Sequence, residues 1–261
     1  MPITIFRNLG NKFEKIANAE GLANSEGWWN VIKAVDLDED HDIDFVLGNN
    51  GINSKFKPTM QSPISLYVND FDRNGSQEPI FTFRKDGKEY PMALRQDIIK
   101  QMSSMKKKFV FYKDYAEKSI ADIFEKNLID RATKLKFQQP QTTTVINKGK
   151  GKFEIKALPI EAQFAPVYGI EALDVNVDNH LDLLLGGNLY AVKPEVGRYD
   201  ALHGLVLTGN GKGDFSSLSP VQSGLDLTGE VRHIKVLNEK GRKLIVFIRN
   251  NDVSKIYTIQ K

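Results

Sequence analysis

The chain has 261 residues, 41% of them apolar and 10% aromatic, which is enough to bury a sizeable core, and a net charge of +3. It holds no cysteine, which excludes disulfides, thiolate chemistry and Cys-ligated zinc or iron–sulfur centres. No apolar run approaches the roughly 20 residues of a spanning helix, and the opening MPITIFRNLG lacks the basic and apolar regions of a secretion signal.

In chain order, a strand over 3–6 leads into the glycine-containing turn Asn8-Leu-Gly10-Asn-Lys-Phe13. Trp28-Trp29 precedes a strand over 31–35, so the indoles read as core or inter-sheet packing; stacking on sugar rings is the other use of such a pair. The acidic stretch DLDEDHDID follows, with Asp36, Asp38, Asp40, Asp42 and Asp44 at every second position, and then a strand over 45–47. Five carboxylates in nine residues repel one another unless a cation sits among them. Hard cations such as calcium take six to eight oxygen ligands at about 2.3–2.6 Å in flexible geometry.

The same loop returns twice. Strands over 64–68 and 79–83 flank Asp70-Phe-Asp72-Arg-Asn74-Gly75-Ser76-Gln-Glu78, and strands over 169–173 and 183–185 flank Asp174-Val-Asn176-Val-Asp178-Asn179-His180-Leu-Asp182. All three fit D-x-[DN]-x-[DN]-x-x-x-[DE], and apolar runs of this length bounded by turn residues predict buried strands. Between the second and third loops, apolar residues from Ala93 to Lys136 fall at helical spacing, with Asp114…Glu117 and Ser119…Asp122 as possible capping boxes. This predicts a helical hairpin over 93–136 inserted within a blade of a single domain, 1–261. Residues 84–136 hold 14 Lys/Arg against 8 Asp/Glu and the rest of the chain 22 against 25, as suits an inserted segment with its own surface. Lys106-Lys107-Lys108 reads as a solvated helix end; with no RNA-binding motif beside it and no spanning segment, neither nucleic acid nor membrane insertion is expected.

A second element also recurs. Asn147-Lys-Gly149-Lys-Gly151-Lys-Phe153 matches Gly209-Asn-Gly211-Lys-Gly213-Asp-Phe215, each preceded by a strand (143–146, 205–207) and each read as a hairpin turn. A phosphate-binding loop would need a helix after the glycines, and none is signalled. Phe13 lies 23 residues before Asp36 and Phe153 21 before Asp174. The same interval after Phe215 lands on Leu237-Asn-Glu-Lys-Gly241, between strands over 231–236 and 244–248, which reads as a fourth loop without its acids. Seven hairpins and a trailing strand over 255–259 make four-stranded repeats, and such sheets repeated radially are propeller blades. The expectation is an all-β propeller of about four blades, with this chain a fragment of a larger one.

Position 12 of an EF-hand is a bidentate Glu between helices; here it is Leu47, Phe81 or Leu185 between strands, so that reading fails. The phrases DLDEDHDIDFVLGNNG, DFDRNGSQEPIF and DVNVDNHLDLLLGG, with NKGKGKF and GNGKGDF, resemble the FG-GAP/VCBS repeat, the calcium loop of integrin-α-type propeller blades. Together with GGNLYAVKPEVGRYDA they are similar to the C-terminal region of bacterial VCBS/UnbV-type surface proteins.

The resemblance implies side-chain ligation at positions 1, 3, 5 and 9 and carbonyl ligation at position 7. Those are Asp36, Asp38, Asp40, Asp44 and the Asp42 carbonyl; Asp70, Asp72, Asn74, Glu78 and the Ser76 carbonyl; Asp174, Asn176, Asp178, Asp182 and the His180 carbonyl. Position 6, usually Gly with positive φ in that family, is Gly75 but also His41 and Asn179, types enriched in the left-handed region. Up to three structural calcium ions are implied, in a non-catalytic, extracellular or cell-surface binding or adhesion scaffold for a protein or glycan. The alternative is a glycan-active, polysaccharide-lyase-like enzyme on the same scaffold. It would require Arg198, Tyr199, His203 or His233 to converge in one pocket. The polar segment carrying Glu195, Arg198 and Tyr199 is longer than a blade requires and, with the helical insert, is the candidate recognition surface.

Overall fold

The computed structural model describes residues 1–17 and 19–259. The fold is mostly β. A two-stranded hairpin, β1 (Phe6–Asn8) with β2 (Phe13–Lys15), is followed by the antiparallel pair β3 (Val31–Val35) and β4 (Asp44–Gly48). Then come β5 (Ile64–Asn69), β6 (Glu78–Lys85) and β7 (Lys88–Pro91), five short helices, and β8 (Thr133–Phe137). The helices are α1 (Arg95–Gln101), α2 (Met105–Lys108), α3 (Tyr112–Tyr115), α4 (Ile120–Ile123) and α5 (Lys126–Arg131). The chain continues through β9 (Thr143–Asn147), β10 (Phe153–Ala157), a 3-10 turn at Ile160–Gln163, β11 (Val167–Leu173), β12 (Asp182–Gly187), β13 (Leu205–Gly209) and β14 (Phe215–Leu218). Helix α6 (Pro220–Ser223) precedes β15 (Val231–Glu239), β16 (Arg242–Arg249) and β17 (Lys255–Thr258).

Two compact units result. Residues 58–139 form one, and 2–57 with 140–261 form the other. In the larger unit the sheets run β3-β4-β9-β10, β11-β12-β13-β14 and β15-β16-β17. Strand β4 pairs with β9, so the smaller unit enters between the second and third strands of one sheet. The inserted segment is therefore larger than the helical stretch 93–136 read from periodicity, and it contains the second acidic loop. Its own sheet has a different order, β7-β6-β5-β8, with the helices between β7 and β8.

Burial explains the apolar runs. On β12 and β13, Leu183, Leu185, Leu205 and Leu207 join a core with Val46 and Ile146 of the preceding sheet. Leu184 and Val206 point the other way, to Val231, Ile234, Ile245 and Phe247 of the following sheet. A strand sandwiched on both faces has no polar side to alternate with, hence the unbroken Leu183–Leu185 run. Strand β11 packs against β3 and β4 on one side and β15 on the other. Close approach needs missing side chains: a Cβ on Gly48 would come within 2.6 Å of the Val167 carbonyl, and one on Gly187 within 1.9 Å of the Pro166 carbonyl.

In the smaller unit, Ile98, Met102, Phe109, Ile120, Ile123 and Phe124 cover Tyr67 and Ile80 of the sheet and Phe71 of the acidic loop. The two-helix reading gives way to five pieces because Glu117 sits at φ 60 and the Met102 cap is extended. Ser119 caps α4 as expected, its hydroxyl and amide both reaching Asp122 Oδ2, at 2.6 and 2.9 Å. Asp114 caps α3 instead of starting a helix, accepting the Phe111 amide at 2.7 Å. Trp29 donates to the Ser25 carbonyl at 3.0 Å and packs near Leu22 and Leu47, and Trp28 meets Phe56 edge-on at 5.1 Å.

Candidate metal centres

Each acidic loop closes an antiparallel pair, β3–β4, β5–β6 or β11–β12. One hydrogen-bond plan folds all three. The position-1 aspartate uses both oxygens on amides ahead of it: Asp36 accepts from Glu39 and His41 at 2.8 and 3.0 Å. Asp70 accepts from Asn74 and Gly75 at 2.9 Å each, and Asp174 from Val177 and Asn179 at 2.7 and 3.0 Å. Position 5 accepts the amide of position 7: Asp42 donates to Asp40 at 2.9 Å, Ser76 to Asn74 at 2.7 Å and His180 to Asp178 at 2.8 Å.

Position 9 is buried. Asp44 and Asp182 are 0% exposed and Glu78 2%. They accept the position-2 amides of Leu37, Val175 and Phe71 at 2.8, 2.8 and 2.7 Å. The second oxygen of Asp44 takes the Asn147 amide at 2.7 Å, and that of Asp182 the Gly209 amide at 3.0 Å. These two acids thus fasten the loop to the third strand of the sheet. Position 6 has positive φ in every loop, 72° at His41, 89° at Gly75 and 71° at Asn179. So does position 4, at Glu39, Arg73 and Val177, which the residue types do not signal.

The carboxylates gather in two of the loops. Oxygens of Asp36, Asp38 and Asp40, and of Asp70, Asp72 and Glu78, lie within 4.8 Å of one another. Oxygens facing each other across a calcium ion would stand about 4.6–5.2 Å apart, so this is the spread of a coordination shell. Asp38 Oδ1 and Asp72 Oδ1, both at position 3, are buried and have no hydrogen-bond partner. A buried carboxylate oxygen without a donor is costly. The donor sets contain only oxygen, the chemistry of a hard cation. In the third loop Asp174, Asp178 and Asp182 form no such group among the described residues, and the Asn176 amide donates to Asp178 Oδ2 at 2.8 Å.

The electrostatics agree with a site short of positive charge. Burial pushes the Asp44, Glu78 and Asp182 carboxyls up, and neighbouring acids of the same loop add to it: Asp38 and Asp40, Asp72 and Asp70, Asp178 and Asp174. Two partners of the loop acids went unseen in the sequence. Lys148, in the turn between β9 and β10, bonds Asp38 Oδ2 at 3.1 Å. His180 Nδ1 lies 2.7 Å from Glu39 Oε1, linking the first and third loops. Only the long-range pairing of the sheets reveals either contact.

The other candidates stay apart. Arg198 and Tyr199 line a cavity of about 260 Å³ with Asn53, Ser54 and Lys55, while His203 lines another of about 500 Å³ beside Leu205 and Pro220. His233 lines neither. Tyr199 is 8% exposed and its hydroxyl has no partner; Arg198 stacks 5.2 Å over the Tyr190 ring. No helix among the described residues is long and apolar enough to cross a membrane. No family model matches the chain, and no curated protein matches it.

Proposed function

We propose that the protein is a calcium-binding scaffold whose larger unit is a run of propeller blades of the FG-GAP/VCBS kind. The observation that carries this reading is the pair of buried, unpartnered oxygens, Asp38 Oδ1 and Asp72 Oδ1, each set among carboxylates at coordination spacing. Asp36, Asp38, Asp40 and Asp44 would hold one ion, and Asp70, Asp72, Asn74 and Glu78 a second. A weaker third would use Asp174, Asn176, Asp178 and Asp182. Bound calcium supplies positive charge at the turn and cross-links its oxygens; the chain's own amides already set the turn. The blade reading is supported by sequential strand order in two sheets and by the packing of β11 between β3 and β15.

A metal serving the same joint in successive repeats acts on architecture, which suits an extracellular or cell-surface binding module in which calcium is plentiful. Extracellular calcium modules bind at about 10⁻⁴–10⁻³ M. Calorimetric titration of chelator-stripped protein tests the proposal. Two to three equivalents of calcium are expected, with one equivalent lost in Asp38→Ala and another in Asp72→Ala. A flat titration would overturn it.

A further inference from the structure

Residues 106–113 read Lys-Lys-Lys-Phe-Val-Phe-Tyr-Lys, four cations and no acid. The smaller unit buries Ile98 and Met102 at 0%, Ile123 at 2% and Phe109 at 3% exposure and half-buries Met105, Tyr115, Leu128 and Ile129. It then leaves three consecutive residues out: Val110 is 57% exposed, Phe111 62% and Tyr112 66%. Leu94, beside Arg95, is 52% exposed as well.

The tip is held in place. The Arg95 guanidinium donates to the Phe109 and Val110 carbonyls, each at 2.7 Å, and Lys108 donates to the Ile123 carbonyl at 2.6 Å. The nearest following acid, Asp114, is turned back onto the Phe111 amide. Lys113 stands 5.5 Å over the Phe111 ring and Arg95 5.2 Å over that of Tyr112. Neither Lys106 nor Lys107 forms an ion pair among the described residues. Charge left unpaired beside apolar side chains held out in water is an arrangement that folding alone does not require.

We propose that Val110, Phe111 and Tyr112, with Lys106, Lys107 and Lys113, dock the smaller unit peripherally on an anionic bilayer surface. The apolar side chains enter the headgroup boundary and the ammonium groups meet lipid phosphates. Tyrosine seats well at such a boundary, and a lysine near an anionic leaflet gains from its surface potential. Single-stranded nucleic acid also offers phosphates with flat rings to stack. The aliphatic Val110 and Leu94 have no stacking face, however, and each aromatic ring already carries a cation over one side. A bilayer accommodates all of these groups together. Surface docking needs no spanning helix. The inference stands independently of the calcium reading, because none of these residues lies in an acidic loop.

The test is co-sedimentation of the full chain with phosphatidylcholine vesicles, with and without phosphatidylglycerol, at low and high salt. Binding is expected only with phosphatidylglycerol, weakening as salt rises. Lys106→Ala and Lys107→Ala should each weaken it roughly five-fold, and Phe111→Ser with Tyr112→Ser about ten-fold or more. These side chains are exposed, so circular dichroism should show the fold unchanged. A Phe111→Trp variant should shift its emission to the blue on the anionic vesicles. Absence of binding to anionic vesicles would overturn the proposal. So would binding indifferent to the Phe111 and Tyr112 changes, or tight binding of a single-stranded oligonucleotide in place of vesicles.

Discussion

Asp44 accepts the Asn147 amide at 2.7 Å across 103 residues of sequence, while its other oxygen holds the Leu37 amide at 2.8 Å. Asp182 repeats the relationship with Gly209 and Val175. Position 9 of the acidic loop is therefore also a fastener, and at Asp44 it joins β4 to β9 across the point at which residues 58–139 enter. Replacing Asp44 by Ala strips two amides of their acceptor and should cost about 2–4 kcal/mol. Urea unfolding would show it as a lowered midpoint, and an unchanged midpoint would show that the fastener is idle.

Lys148 bears on affinity. Its ammonium bonds Asp38 Oδ2, placing a positive charge beside the carboxylates that would hold an ion. Lys148→Ala should therefore raise the calcium affinity of the first loop several-fold while leaving the second loop, at Asp70–Glu78, as it was. Titration calorimetry on the Asp72→Ala background isolates the first loop; an affinity that falls on removing Lys148 would mean that the lysine positions Asp38 instead of competing for it.

Much of this could be read from the residues. The run Leu183–Leu185 shows as a strand because neighbouring sheets bury both of its faces, Val31–Val35 because Val31 and Val35 pack on the core while Ile32 and Ala34 face out, and the turn glycines 149, 151, 211 and 213 all have positive φ. The extent of the insertion was not legible. The second acidic loop is locally the same as the other two, and only the pairing of β4 with β9 shows that its sheet lies inside another sheet's connection. The first strand was expected over 3–6 but lies at Phe6–Asn8, because the Ile3 amide is taken by the Ser25 hydroxyl at 2.9 Å. The ion pair at Lys148 was hidden for a similar reason: its partner Asp38 is 110 residues away.

Position 4 of the third loop carries strain. Val177 sits at φ 65 and is 68% exposed. A β-branched residue there pays a backbone penalty on the order of 1 kcal/mol or more, without packing in return. Val177→Asn or Val177→Gly should raise the unfolding free energy by about 1 kcal/mol in denaturant titrations. A lowered value would mean that the valine makes a contact worth more than the strain.

Glu230 gives a pH dependence away from the acidic loops. Burial pushes its carboxyl up, but the Tyr190 amide, the Asn250 side chain and Arg232 outweigh it and hold the group below the usual range. A carboxyl depressed in the fold contributes stability above its unfolded value, about 4.3, and loses it as pH falls through the lower folded value. Glu230→Gln should cost roughly 2–4 kcal/mol near neutral pH. The gap to the parent should narrow steadily below about pH 4. A gap constant with pH would show that the carboxylate's charge plays no part.

Calcium itself is the most direct test. At concentrations ten to a hundred times the dissociation constant, each site binding only the folded state adds about 1.4–2.7 kcal/mol. Melting of the chain should therefore rise by several degrees in calcium over chelator, and Asp38→Ala with Asp72→Ala should lose most of that rise. A melting temperature indifferent to calcium and chelator would contradict the account.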